Sequence, residues 1–334
     1  MGWWLVNADT LAGSRFTVSA LAETTASLKH LEWGTGGHPG ERAWLDAHRP
    51  AYRELLADDP VTALLVRIGL GRGWIADFLT PTPTGAGEQP FGQEVERIRR
   101  TPAEHTLADL AVSLGGPLPE ALRRTDLAER AAGLLEWVWT QTVLPYWPRR
   151  RRIMEADVLA RTSQLTQGGW AAALDDMRPG MRWLGQGRLQ INAHDYPPRE
   201  ISGAQLLFVP VTPRMGWVSW ETQPAAVAAG ADRGRDRYAV VYPCAGALAE
   251  ADRPSVPRTL GTLLGPARAG VLMLLDTPKS TTQLVALTGQ GLGSVGRHLK
   301  VLLDARLVRR RRAGRSVLYF RSEAGDALVR AQLD

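Results

Sequence analysis

The sequence predicts an α+β protein: a largely helical N-terminal region with a small antiparallel sheet, followed by a C-terminal module of short helices and a hairpin. Three observations carry this. Apolar residues recur at helical spacing through roughly the first 180 positions. Past Met181 the period changes from 3.6 to 2, the mark of strands. The chain's excess positive charge then falls in its last quarter.

Length and composition set the bounds. At 334 residues the chain exceeds the ~100–200 usual for one domain, so at least two are expected. No apolar run reaches the ~18 residues of a membrane span. The opening MGWWLVNADT lacks the basic start and apolar core of a secretory signal, which predicts a cytoplasmic protein. There the single cysteine, Cys244, stays reduced. From Arg253 onward there are 14 Lys+Arg against 5 Asp+Glu, a net of +9, whereas the first 252 residues carry 26 against 29, a net of −3. A basic segment on a near-neutral body is the footprint of a nucleic-acid module. Only Lys29, Lys279 and Lys300 are lysines, and the other 37 cations are arginines. With the richness in Ala and Gly this has the look of a high-G+C coding bias, which lowers the weight of any one arginine.

In chain order, SRFTVSALAETTASLKHL contains a helix start: Ser19 or Thr17 caps, Glu23 is placed to return to a backbone amide near Ser19, and Leu21, Leu28 and Leu31 keep helical spacing. His30, His38 and His48 lie on Gly/Pro-rich ground without any recognised ligand spacing, so packed or surface histidines are favoured over a metal site. From Glu41 to Leu79, Trp44, Leu45, Tyr52, Leu55 and Leu56 mark one stripe and Leu64, Leu65, Ile68 and Ile75 another. Thr80 to Pro90, TPTPTGAGEQP, predicts an extended loop or hinge. Helices resume at 91–100, 103–114, 119–143 and 148–178. The run Arg149 to Arg152 reads as a solvated helix turn before it reads as a second nucleic-acid contact. Strands are then expected in the stretch through Leu189 and Ile191, in QLLFVPVTP, MGWVSWE and RYAVVYPC, with Ala225 to Asp236 a loop. The expected divisions are 1–180 (mainly helical), 181–246 (antiparallel β), 247–258 (linker) and 259–334.

All twelve tryptophans precede Glu221. Trp137, Trp139, Trp147, Trp170, Trp183, Trp217 and Trp220 are either core or the lining of an apolar ligand cavity; the candidate ligand-binding set is Trp137, Trp139, Trp170, Trp183 and Trp217.

The last module is the most legible. TLGTLLGPARAGVLMLL places Leu260, Leu264, Ala267, Val271 and Leu274 on one face. In TPKSTTQLVALTG, Ser280 caps a helix with Leu284, Val285 and Leu287 inward, and Gly289-Gln290-Gly291 turns the chain. In the next helix Val295, Leu299, Leu302 and Leu303 form a single buried stripe. Its opposite face offers Ser294, Arg297 and His298 for base edges, with Arg297 the first choice, and Lys300 for a phosphate. Then Arg309, Arg310, Arg311 and Arg312 carry a strand outward, Ala313-Gly314 turn with Arg315 beyond, and Ser316 to Phe320 return. Helix, turn, helix and basic hairpin make a winged helix-turn-helix, whose hairpin arginines reach phosphates or the minor groove. The blander alternative is a run that keeps an exposed hairpin soluble.

TLGTLLGPARAGVLMLL, TTQLVALTGQGLGSVGRHLKVLLDARLVRRRRAGRSVLYF and SEAGDALVRAQ resemble, in order, the winged-helix domain of ArsR-type bacterial transcriptional regulators. RFTVSALAETTASLKHL and LLFVPVTPRMGWVSW are similar to the long N-terminal region of a subset of these regulators. The resemblance implies a one-component, homodimeric regulator of double-stranded DNA, a repressor before an activator. Its dimer would pair through Gly261–Leu275 and Ser322–Leu333, and a small apolar effector is a possible partner. No cofactor is expected. Metal-sensing members carry cysteines on the positioning helix; Thr281 to Leu287 has none, which removes soft-metal sensing through that site. Gly291 and Gly293 thin the front of the recognition helix, which points to modest base readout or to readout of DNA shape. An enzyme domain fused to the module is the competing class. Asp175-Asp176, His194-Asp195 and Glu136 supply acids and bases, yet no GxSxG, P-loop, GxGxxG after a strand or paired-histidine motif accompanies them. A partner-binding scaffold is the third.

Overall fold

The computed structural model describes residues 2–36, 39–71, 73–85, 87–175, 177–192, 197–222, 236–244, 256–275, 278–288, 290–313 and 316–332. The expected linker and the loop from Ala225 to Asp236 fall almost wholly outside these. The chain opens with strand β1 (Trp3–Leu5), the short helix α1 (Ala8–Ala12) and strand β2 (Arg15–Phe16). The helical body follows: α2 (Ala20–Trp33), α3 (Pro39–Asp58), α4 (Pro60–Gly69), α5 (Phe91–Arg99), α6 (Ala103–Leu114) and α7 (Leu127–Val138), then the long α8 (Trp147–Leu174).

Helix α2 is the axle of this body. Its residues Ala20 to Leu28 are all buried, because α5 and α7 pack on one side and a sheet on the other. Ser19 caps it as expected, accepting from the Ala22 amide at 3.0 Å. The partner acid differs. Glu94 of α5 accepts from the Ser19 hydroxyl at 2.6 Å and from the Leu21 amide at 2.9 Å. A carboxylate from another helix thus closes the cap, and Glu23 is free to turn inward.

Six strands follow α8: β3 (Arg182–Gly185), β4 (Arg188–Gln190), β5 (Arg199–Glu200), β6 (Gln205–Val211), β7 (Trp217–Glu221) and β8 (Arg237–Pro243). They form two sheets, ordered β3-β4-β1-β5 and β2-β6-β8-β7, so the first sixteen residues lend a strand to each. The expectation of an antiparallel sheet holds for β3, β4 and β1 and is corrected for the second sheet. β6 lies parallel to both β2 and β8, and only β7 runs antiparallel to β8. The reason lies in burial: Leu207, Val209 and Val241 face α2 through Ala22 and Ala26, while Leu206, Phe208 and Val240 face Trp4, Leu174 and Met177. Strands covered on both faces become continuous apolar runs, which is the habit of parallel sheets.

Of the two readings of Thr80 to Pro90, the loop is the one the described residues show, and it is pinned. Thr82 is fully buried, its hydroxyl bonds to that of Ser219 at 3.2 Å, and its carbonyl accepts from Arg97 at 2.8 Å. Helix α8 breaks at Gly169, whose φ of 68° suits glycine.

The C-terminal module comprises α9 (Arg258–Leu264), α10 (Pro266–Leu274), β9 (Lys279–Ser280), α11 (Thr281–Thr288), α12 (Leu292–Asp304), β10 (Val308–Ala313), β11 (Ser316–Arg321) and α13 (Glu323–Arg330). It has its own core, including Leu260, Leu272, Leu284, Val295 and Leu299. It meets the body where α11 lies on α8: Leu287 packs against Ile153, Met154 and Cys244.

Candidate nucleic-acid interface

Helix α11 begins with a reciprocal cap. The Ser280 hydroxyl accepts from the Gln283 amide at 3.2 Å, and the Gln283 side chain accepts from the Ser280 amide at 2.8 Å. Two otherwise orphaned amides are satisfied. Ser280 also pairs with Leu318, and Lys279 with Tyr319, so β9 ties the wing to the start of α11. The resulting sheet, β10-β11-β9, is antiparallel throughout.

On α12, Val295, Leu299 and Leu302 are buried and Leu303 half-buried, as their spacing predicts. Arg297 and Lys300 are exposed on the other side. Ser294 and His298 are half-buried and tied together: the Ser294 hydroxyl lies 3.3 Å from His298 Nε2 and donates to the Gln290 side chain at 3.1 Å. The four side chains therefore share one outward face, with Arg297 and Lys300 the two that project. Gly291 caps the helix without a side chain, leaving first-turn amides and the positive end of the helix dipole facing outward.

The wing lifts four exposed guanidinium groups. Arg309 to Arg312 are opposite Phe320, Tyr319, Leu318 and Val317 in the ladder, and alternation sends Arg309 and Arg311 to one face, Arg310 and Arg312 to the other. Among the described residues none of the four forms an ion pair. Arg315 lies outside the described residues. The ribbon is clamped at its base, where Ser322 caps α13 and donates to the Arg306 carbonyl at 2.6 Å.

Residues 266–310, spanning α10 through the first half of β10, match the family model for bacterial regulatory protein, arsR family. The C-terminal module is an ArsR-type helix-turn-helix. No curated protein and no solved structure matches the chain. The ArsR-type module marks the protein as one of DNA-binding transcriptional regulation, with a long N-terminal region preceding that module. No helix among the described residues is long and apolar enough to cross a membrane.

In this ArsR-type module α11 carries no thiol, and the chain's cysteine sits beneath it instead. Cys244 is buried, and burial pushes its thiol well above the usual cysteine range, so it is neither a thiolate nor exposed to an oxidant. His30 and His48 flank the Trp44 ring at 5.6 and 5.2 Å between centroids, and burial lowers both imidazole pKa values. His38 lies outside the described residues. The acids that a catalytic reading needed serve other contacts or escape description. Glu136 pairs with Arg99 at 2.9 Å, and Asp175 accepts from the Trp183 amide at 3.5 Å. Asp176, His194 and Asp195 lie outside the described residues.

The structure divides the tryptophan set. Trp137, Trp139 and Trp147 pack against the helical core, and Trp170 and Trp183 against the core beside the sheets. Phe91 stacks on Trp139 at 4.7 Å, which accounts for that ring as packing. Trp217 and Trp220 do line a cavity, of about 490 Å³, together with Trp3, Trp4 and Trp74. Wall rings and core rings are distinguished by tertiary position alone, since every tryptophan offers the same apolar area.

Proposed function

We propose that the protein is a homodimeric, sequence-specific regulator of transcription that binds double-stranded DNA, most simply as a repressor. The observation that carries this is the set of exposed cations on α12 and on the wing. Arg297 and Lys300 project from a helix whose opposite stripe is buried, and Arg309 to Arg312 stand exposed beside it, within and just beyond the segment that matches the ArsR family. In this reading Arg297 grips guanine through two acceptors, Ser294 and His298 flank it, and Lys300, Arg309, Arg310, Arg311 and Arg312 hold phosphates. Two such helices about 34–36 Å apart would engage a pseudo-palindromic site. The helices α9, α10 and α13 supply the dimer face, and Leu263 of α9, 67% exposed, is its most conspicuous apolar group.

The N-terminal region serves in this reading as the sensor. Its α8 lies against α11, the positioning helix, so a ligand that favours one arrangement of the body favours one presentation of the DNA-binding face. Fluorescence anisotropy on a duplex from the protein's own promoter region tests the DNA half, with the duplex chosen by genomic footprinting. Arg297→Ala should lose about 1–3 kcal/mol and relax base preference at one position. Replacing Arg309 to Arg312 by Gln should weaken binding on every sequence and flatten the salt slope by about 0.9 for each phosphate no longer neutralised. Unchanged affinity and slope in the quadruple variant would remove the wing from the interface.

A further inference from the structure

The cavity between the two sheets and the helical body has apolar walls and a cationic floor. Trp74 and Trp220 meet edge to face at 5.6 Å between centroids, and Trp217 forms another wall. Into this space come Lys29 of α2, whose Nζ lies 5.8 Å from the centre of the Trp217 ring, and Arg178 from the turn after α8. Arg178 Nη1 is buried with no hydrogen-bond partner, as is Asn192 Oδ1 on the same lining. Among the described residues no carboxylate forms an ion pair with Lys29 or Arg178. Arg199 also lines the cavity but is engaged, stacked on Trp220 at 4.2 Å.

Two neighbouring cations, partly dried and without an ion-pair partner among the described residues, oppose folding. Burial and then Arg178 lower the Lys29 pKa to about 8. Asp77, the acid among the described lining residues, forms no ion pair with either of them. Burial, then Asp109, raise its pKa to about 6, against the opposing pull of a hydrogen bond from Trp74 and the charge of Arg199. An uncharged apolar ligand would leave the Lys29 and Arg178 charges as they are, whereas an anion satisfies both.

We propose that this cavity binds a small organic acid with a flat aromatic body, its anionic group held between Lys29 and Arg178 and its ring against Trp217 and Trp220. The volume of about 490 Å³ falls within the ~300–1,000 Å³ of small-molecule sites. The proposal names the ligand class for the sensing role set out above and rests on that reading for its purpose, though not for the binding itself.

The test uses the full chain without DNA and three probes: 2-naphthoate, its neutral counterpart 2-naphthamide, and inorganic phosphate. Tryptophan fluorescence and thermal shift report binding. Naphthoate is expected to bind saturably, at least about tenfold tighter than either the amide or phosphate. Lys29→Met and Arg178→Met are each expected to weaken naphthoate by about tenfold while leaving the amide's weak affinity unchanged, which controls for folding. Equal affinity for acid and amide, phosphate binding as tightly as naphthoate, or no saturation by about 10 mM would each overturn the proposal; the wild-type comparison decides even if a variant fails to fold. Adding naphthoate to the operator anisotropy assay separates the two levels: binding without any change in DNA affinity retains the site and removes its sensing role.

Discussion

The chain writes four consecutive arginines twice, at 149–152 and at 309–312, and puts them to different uses. In α8 each residue turns by about 100°, so the run cannot stay on one face. Arg150 goes inward and is 3% exposed: it pairs with Glu23 at 2.7 Å, bonds the Ser27 hydroxyl at 2.8 Å, and lies 5.4 Å over Trp44. Glu23 in turn accepts from the Thr212 amide at 2.7 Å, joining α2, α8 and the end of β6. Arg151 meets Glu88 and Glu155 on the surface. In β10 the same four letters alternate across a ribbon, and all remain exposed. The first run holds the body together, and the second keeps its charge available. Neither the solvated-turn reading nor the nucleic-acid reading of Arg149 to Arg152 describes Arg150.

The comparison can be broken by exchange of charge for bulk. The largest effect belongs to Arg150→Ala, which strands Glu23 in a dry site and should destabilise the protein by about 3–5 kcal/mol. Chemical denaturation reads it, and a loss under about 1 kcal/mol would return Arg150 to the surface class. Next is Lys29→Met, which removes a desolvated charge and should stabilise the ligand-free protein by about 1–3 kcal/mol at pH 7. Its sign follows from linkage: the folded pKa of about 8 lies below the ordinary 10.5, so the unfolded chain binds more protons between these values. Stability of the parent therefore rises with pH across that window, and the variant should lack this rise in denaturation series at pH 8 and pH 10. The smallest effect is expected of Arg309 to Arg312→Gln, within about 0.5 kcal/mol of the parent. A larger fall in Tm would mean that the wing's charges are structural after all.

Legibility divides along the same line. Local signals were readable: the Ser19 and Ser280 caps, the Val295-Leu299-Leu302 stripe, and the hairpin after it each depend on residues a few positions apart. Signals that depend on distant partners were not. Glu23 sits where a capping acid belongs, yet Arg150 and Thr212 claim it from 127 and 189 residues away. The run QLLFVPV reads as a strand, but its direction depends on β2 and β8, and its unbroken apolar character is the clue the sequence holds. Which tryptophans wall a cavity has no local signature. Lys29 has a faint one, being one of only three lysines in a chain with 37 arginines.

The glycines of α12 have a further consequence. A Cβ added at Gly291, Gly293 or Gly296 would meet nothing within 4 Å. An alanine can therefore be installed at each of these positions without a clash at its Cβ, and at Gly293 and Gly296 it would also favour the helical backbone. In this helix the residues that keep the fold and those open to change are separate sets. On the proposed reading of α12, a lineage could rewrite target preference by point substitution here while inheriting the scaffold intact.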